Sequence, residues 1–231
     1  ARIIERTDYA RYLVSNEFDV QLEREAEKIA SVFPDARIIM VLRRHDEWIA
    51  SQYRRQVKNG RALSFREFID VQDDAGEWKQ KELYYMPKIR FLEQCFGRRP
   101  LVLFYDEFKH DPYAFFDRIA AFTGATYDRD AIDCTPRHRS YNEKQLKIIR
   151  NVSRRLFRQK RFVYAHRYWV RKLQRHTRMV PRYLVLYAAR LIPSFFVDSA
   201  PLIPENEKAQ IREFYAEDWD ACRAYATDNP V

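Results

Sequence analysis

Apolar and polar positions change period several times along the first 130 residues. RYLVS at 11–15 reads as a short strand. RIIMVL at 37–42 and PLVLFY at 100–105 are continuous apolar runs rich in branched residues, the pattern of strands buried on both faces. QLEREAEKIASVF instead places Leu22, Ala26, Ile29, Ala30 and Phe33 on one helical stripe. DEWIASQYRRQVKNG predicts a helix closed by Gly60. SFREFIDVQ and WKQKELYYMPKIRFLEQCFG predict two more, the second bent at Pro87. Asp111-Pro112 opens another, with Asp as the cap and Pro at the first helical position, and Gly124 ends it.

Strands separated by helices imply an α/β fold, a parallel sheet with flanking helices. Three strands make a thin sheet. After about residue 135 the pattern is helical throughout. Residues 143–176 are basic and aromatic, and PRYLVLYAARLIPSFFV at 181–197 is apolar and interrupted by Pro193. A last helix, roughly 205–226, carries Ile211, Phe214, Tyr215, Trp219, Cys222 and Tyr225 on one side. The expectation is an α/β core over 1–135 and a helical, basic part over 136–231 packed on it.

Composition narrows the picture. A length of 231 residues with 46% hydrophobic content suits one domain, or one domain with an extension. No run of 18 apolar residues occurs, so a spanning helix is not expected, and the start shows no signal-peptide pattern. Cys95, Cys134 and Cys222 are scattered and odd in number, which points to reduced structural thiols and a reducing, cytoplasmic compartment. The five histidines make no metal-ligand spacing, so no metal site is expected and each reads as an ordinary surface or core histidine.

Charge is uneven. Residues 137–178 hold fifteen Lys or Arg against the one acid Glu143, leaving the rest of the chain at −5 within a total of +9. Such a segment points to an anionic partner.

Candidate chemistry sits where the second apolar run ends, in VLRRHDEWIASQYRRQVKNG. Ligands of parallel α/β sheets bind at the carboxyl ends of strands, where Arg43 and Arg44 stand. The helix beginning near Asp46 adds backbone N–H groups and a positive dipole end. Ser51 follows one to two turns later and can donate a hydrogen bond. A guanidinium fork and a hydroxyl at a strand end suit a phosphate; solvated arginines and a solvent-facing serine are the ordinary alternative.

PDARIIMVLRRHDEWIASQY resembles the sulfotransferases, enzymes that move a sulfuryl group from 3′-phosphoadenosine-5′-phosphosulfate (PAPS). Their pattern is a strand ending in Arg, with Ser eight residues later, and the pair binds the donor's 3′-phosphate. Arg43 and Ser51 match that spacing. His45 and Trp48 depart from it, standing where many members have Pro and Arg. The wording of the segment is close to bacterial members with glycan acceptors. RRPLVLFYDEFKHDPYAFFDRIAAFTGA is similar to the family's second segment, and together the matches cover roughly residues 11–150. The resemblance implies that Glu17, in YLVSNEFD at the end of the preceding strand, is the general base for the acceptor hydroxyl. Capping of the next helix is the alternative role for Glu17. It also implies that Arg137, Arg139 and Ser140, in PRHRSYNEKQLKIIRN, lie near the donor nucleotide; they can equally begin the basic surface.

Sulfotransferases also carry a first strand and a Gly-rich loop with Lys and Ser or Thr, whose N–H groups cradle the phosphosulfate. Gly60, Gly76, Gly97 and Gly124 lie in no such loop. With Ala1 rather than Met at its start, the chain reads as lacking that first strand and loop; a degenerate relative without activity is the alternative. The resemblance thus implies transfer of a sulfuryl group from PAPS to a hydroxyl of a carbohydrate or glycolipid acceptor. The rival reading is a non-catalytic basic binding module for a membrane surface or nucleic acid. For the basic segment 137–178, three roles stay open: peripheral contact with membrane or glycan, nucleic-acid binding, and a solvated cationic face over buried aromatics. No known nucleic-acid motif is present, which argues against that partner.

Overall fold

The computed structural model describes residues 12–15, 21–135, 141–156 and 167–228. In chain order the elements are α1 Leu22–Val32, β1 Ile39–Leu42, α2 His45–Lys58, α3 Phe65–Phe68, α4 Gln80–Leu83, α5 Met86–Phe96, β2 Leu101–Phe104, α6 Tyr105–His110, α7 Pro112–Thr123, α8 Glu143–Leu156, α9 Tyr168–Ala188, α10 Glu205–Phe214 and α11 Ala216–Thr227.

β1 and β2 pair in parallel, Ile39 opposite Leu101 and Leu42 opposite Phe104. Every residue of β2 is buried. Period-2 alternation sends Leu101 and Leu103 to one face, against Phe115 of α7 with Ile119 and Phe122 beside it. Val102 and Phe104 go to the other face, against Ile89 of α5 and Cys222 and Tyr225 of α11. A central strand covered by helices on both faces explains why its sequence is an unbroken apolar run.

The expected third strand is not formed. Residues 12–15 have no strand geometry, and the sheet has two strands among the described residues. Tyr12 and Val14 are exposed, and Leu13 is 75% exposed. Alternating apolar residues make a strand only when a neighbour takes their hydrogen bonds and a face takes their side chains, and the Leu13 and Val14 side chains stay largely in solvent. On the β1 side of the sheet it is Val41 that is exposed, whereas Leu101 is fully buried.

Two long predicted helices are each divided. The segment 78–97 breaks at Tyr84 and Tyr85 into α4 and α5. Pro87 begins the second helix rather than bending one, because its nitrogen has no proton to give a preceding turn. The final segment breaks at Tyr215, which ends α10 and precedes α11. Ile211, Tyr215, Cys222 and Tyr225 are buried as expected, while Phe214 stays exposed. The predicted opening of α7 holds: the Asp111 side chain accepts from the Tyr113 and Ala114 amides at 3.0 Å each. Gly124 closes that helix with φ of 63°.

The largest apolar cluster surrounds α2. Ile49, Tyr53 and Val57 pack with Phe65 and Phe68, with Leu146 and Ile149 of α8, Leu186 of α9 and Ile211 of α10. Gly60, just past the end of α2, has φ of 86°, and a methyl group there would lie 2.5 Å from Arg182 Nε. The helix that leaves β1 is thus held on several sides by the later helices. Cys95, Cys134 and Cys222 are free, and Cys222 is buried.

Candidate functional site

At the end of β1 the chain turns through Arg43 and Arg44 into α2. Arg44 is the N-cap, and Asp46 and Glu47 fill the first turn, where carboxylates favour the positive end of the helix. Arg43 donates from Nε and Nη2 to Glu47 Oε2, at 3.1 and 3.0 Å. Its guanidinium carbon lies 5.3 Å from the centre of the Tyr105 ring, at the end of the adjacent strand β2. Lys109 of α6 reaches the same corner, with Nζ 3.7 Å from Glu47 Oε2 and 4.9 Å from the Tyr105 ring centre. The carboxyl ends of both strands therefore converge on one cationic corner, where Glu47 is the internal counter-ion. Burial pushes the Glu47 carboxyl up, but Arg43, Lys109 and Arg44 outweigh it and hold the group below the usual carboxylate range.

Ser51 is exposed on α2. It follows Glu47 by four residues, so the two share one face of the helix. The Glu47 carboxylate, one turn before Ser51, is bound to the Arg43 guanidinium. Glu17, Arg137, Arg139 and Ser140 lie outside the described residues.

Arg44 has a different job from Arg43. It donates from Nε to Asp46 Oδ1 at 2.7 Å, and Arg212 of α10 donates to Asp46 Oδ2 from Nη2 at 3.0 Å. The Asp46 side chain is fully buried between them. Burial raises its carboxyl pKa, and the bonds from the two arginines reverse that to leave it lowered.

Beneath the same turn lies a buried group that the sequence did not announce. His45, the first residue of α2, is 1% exposed, and its Nε2 is 3.1 Å from Asp218 Oδ2 on α11. The imidazole stacks on Tyr215 at 4.6 Å between centres. Asp218 also accepts from the Tyr85 and Met86 amides at 2.8 and 3.1 Å, so it caps α5 from another helix. Burial works to raise the Asp218 carboxyl, but these three donors prevail and lower it. The Tyr85 hydroxyl donates to the Arg43 carbonyl at 2.8 Å, fixing the residue before the N-cap. Of the two places expected for His45, surface or core, the structure gives the core. Trp48, the second departure from the family pattern, packs edge-on against Trp78 at 5.3 Å.

The signal for these partners was local only. His45 stands where a proline is common, and Asp46 and Glu47 are acids beside two arginines. Asp218 and Arg212 lie 173 and 166 residues from their partners, and nothing in their own segments marks them. Among the described residues no group of three or more His, Cys, Asp or Glu side chains is placed to hold a metal ion.

A strand ending in Arg, a helix with Ser eight residues on, and a second strand closing the same corner are the features of one family. A model of the sulfotransferase family matches residues 2–129, more than half of the chain, and the chain belongs to that family. Its members are transferases that move sulfuryl groups and generally use PAPS as the donor. No curated protein and no solved structure matched the chain.

Proposed function

We propose that the protein transfers a sulfuryl group from PAPS to a hydroxyl of a carbohydrate-type acceptor, and that Arg43 and Ser51 hold the donor's 3′-phosphate. The observation that carries this reading is the position of the Arg43 guanidinium. It stands at the carboxyl end of β1, braced through its own carbonyl by Tyr85 and flanked by Tyr105 and Lys109. Its fork already holds one anionic oxygen, that of Glu47. A phosphate oxygen has the same charge and the same need for paired N–H donors. Ser51, exposed one turn beyond Glu47 on α2, would add a hydroxyl donor.

Residues 1–135 would supply the reacting core, and residues 136–231 would pack on it. In the reaction the acceptor oxygen attacks sulfur and the new O–S bond forms. The bond from sulfur to the 5′-phosphate oxygen breaks, and adenosine 3′,5′-bisphosphate leaves. The hydroxyl proton goes to the Glu17 carboxylate, and Arg137, Arg139 and Ser140 contact the nucleotide. Arg44 is assigned to the buried Asp46 carboxylate instead, which Arg212 also holds. The free cysteines suit a reducing, cytoplasmic setting.

The test is transfer of radiolabelled sulfate from PAPS by the full-length protein to a panel of oligosaccharides and simple phenols. Labelled oligosaccharide is expected. Label on phenols alone would overturn the acceptor class, and no transfer to any acceptor would overturn the enzyme reading.

A further inference from the structure

We infer that α9 and the turn after it form a peripheral docking surface for an anionic lipid membrane. The inference goes beyond the proposed reaction and does not depend on it.

The first observation is an apolar stripe on the wrong side of a helix. Trp169, Leu173, Val180 and Leu184 recur at spacings of four, seven and four, so they share one face of α9. That face points to solvent: Trp169 is 74% exposed, and Leu173 and Leu184 are each 65% exposed. The opposite face is the packed one. Leu186 is fully buried in the cluster around α2, and Ala189 is buried just past the helix end.

The helix is also pinned in this orientation. Gln145 Nε2 of α8 donates to the Leu186 carbonyl at 2.8 Å. Lys144 Nζ donates to the Ile192 carbonyl at 2.8 Å, which holds the turn beyond. Leu191 and Phe195 of that turn are 86% and 79% exposed, further apolar surface just past the helix. A strip of aliphatic and aromatic side chains roughly 22 Å long along the helix alone is far more than scattered surface residues provide.

The second observation is charge. Between Glu143 and Asp198 lie 54 residues with fifteen Lys or Arg and no acid at all. Lys172 is exposed beside the stripe, with its Nζ 5.5 Å from the Trp169 ring centre, and Arg167 and Arg171 are exposed around the rest of the helix start. A second copy of this chain would bring two such cationic surfaces together, which repels. Nucleic acid would satisfy the charge but has no use for a row of leucine and valine. A membrane with anionic headgroups satisfies both: hydrocarbon takes the stripe and the headgroups take the cations. Trp169 suits the boundary between the two. No described helix is long and apolar enough to cross a membrane, so α9 would lie in the plane of the surface.

The test is co-sedimentation of the full chain with vesicles of phosphatidylcholine alone and of phosphatidylcholine with phosphatidylglycerol. Binding to the mixed vesicles is expected, with much weaker binding to the neutral ones. The triple variant Leu173→Ser, Val180→Ser, Leu184→Ser should weaken it by roughly tenfold or more. These side chains touch solvent, so its melting temperature should stay near that of the parent. If that variant proves unstable, Lys172→Glu serves instead, and should weaken the preference for anionic vesicles. Parent protein that ignores mixed vesicles at low salt overturns the inference, whether it instead forms a dimer or captures an oligonucleotide. So does binding that neither folded variant alters.

Discussion

Arg212 on α10 closes a bond of 3.0 Å onto Asp46, in the first turn of the helix that leaves β1. With Arg44 on the other oxygen, a fully buried carboxylate is held from both sides. The late helices thus fix the start of α2, and with it the direction in which Arg43 and Ser51 face. Arg212→Ala leaves Asp46 one partner instead of two. Arg212 is itself partly exposed, so the loss should fall below the full cost of breaking a buried pair: about 1–2 kcal/mol by urea denaturation. An unchanged midpoint would remove Arg212 from the account of the site's rigidity.

Asp218 gives a pH signature. Its carboxyl is lowered in the folded chain by His45 and the Tyr85 and Met86 amides acting against burial. A lowered carboxyl stabilises the fold above the unfolded value near 3.9 and loses that contribution as pH falls through the folded value. Asp218→Asn should therefore cost stability at neutral pH, about 2 kcal/mol for charged hydrogen bonds of this kind. The gap between the variant and the parent should narrow as pH drops below about 5. A gap that stays constant into acid would show that the charge of Asp218 contributes nothing.

How far the sequence reveals this arrangement depends on the range of each interaction. Leu101–Phe104 was legible because a strand covered on both faces must be apolar throughout, and that is a local property. Asp111, Pro112 and Gly124 marked α7 for the same reason. Arg43 was legible as a strand-end cation, and its partner Glu47 lies only four residues on. Residues 11–15 misled because alternation states what a strand would need, not whether a neighbour supplies it. The pairs His45–Asp218 and Asp46–Arg212 were not legible at all. A charged residue on a helix looks the same in sequence whether it meets water or a partner more than 160 positions away. The break at Tyr84–Tyr85 shares that origin, since Asp218 caps α5 from another element.

Glu17 carries the catalytic half of the proposal. In the full-length protein, Glu17→Gln should leave donor affinity unchanged and lower turnover by roughly 10²–10⁴-fold, the range for loss of a general base. Donor titration beside steady-state rates separates the two effects. Near-normal turnover would assign the proton to another group.

The most direct measurement is nucleotide binding by Arg43→Ala in the full-length protein. Calorimetric titration should compare adenosine 3′,5′-bisphosphate with adenosine 5′-phosphate, which lacks only the 3′ group. A charged hydrogen bond of about 1.5–3 kcal/mol corresponds to a loss of roughly ten- to a hundred-fold. The account predicts that loss for the bisphosphate and little change for the monophosphate. Equal weakening of both, or of neither, would contradict it.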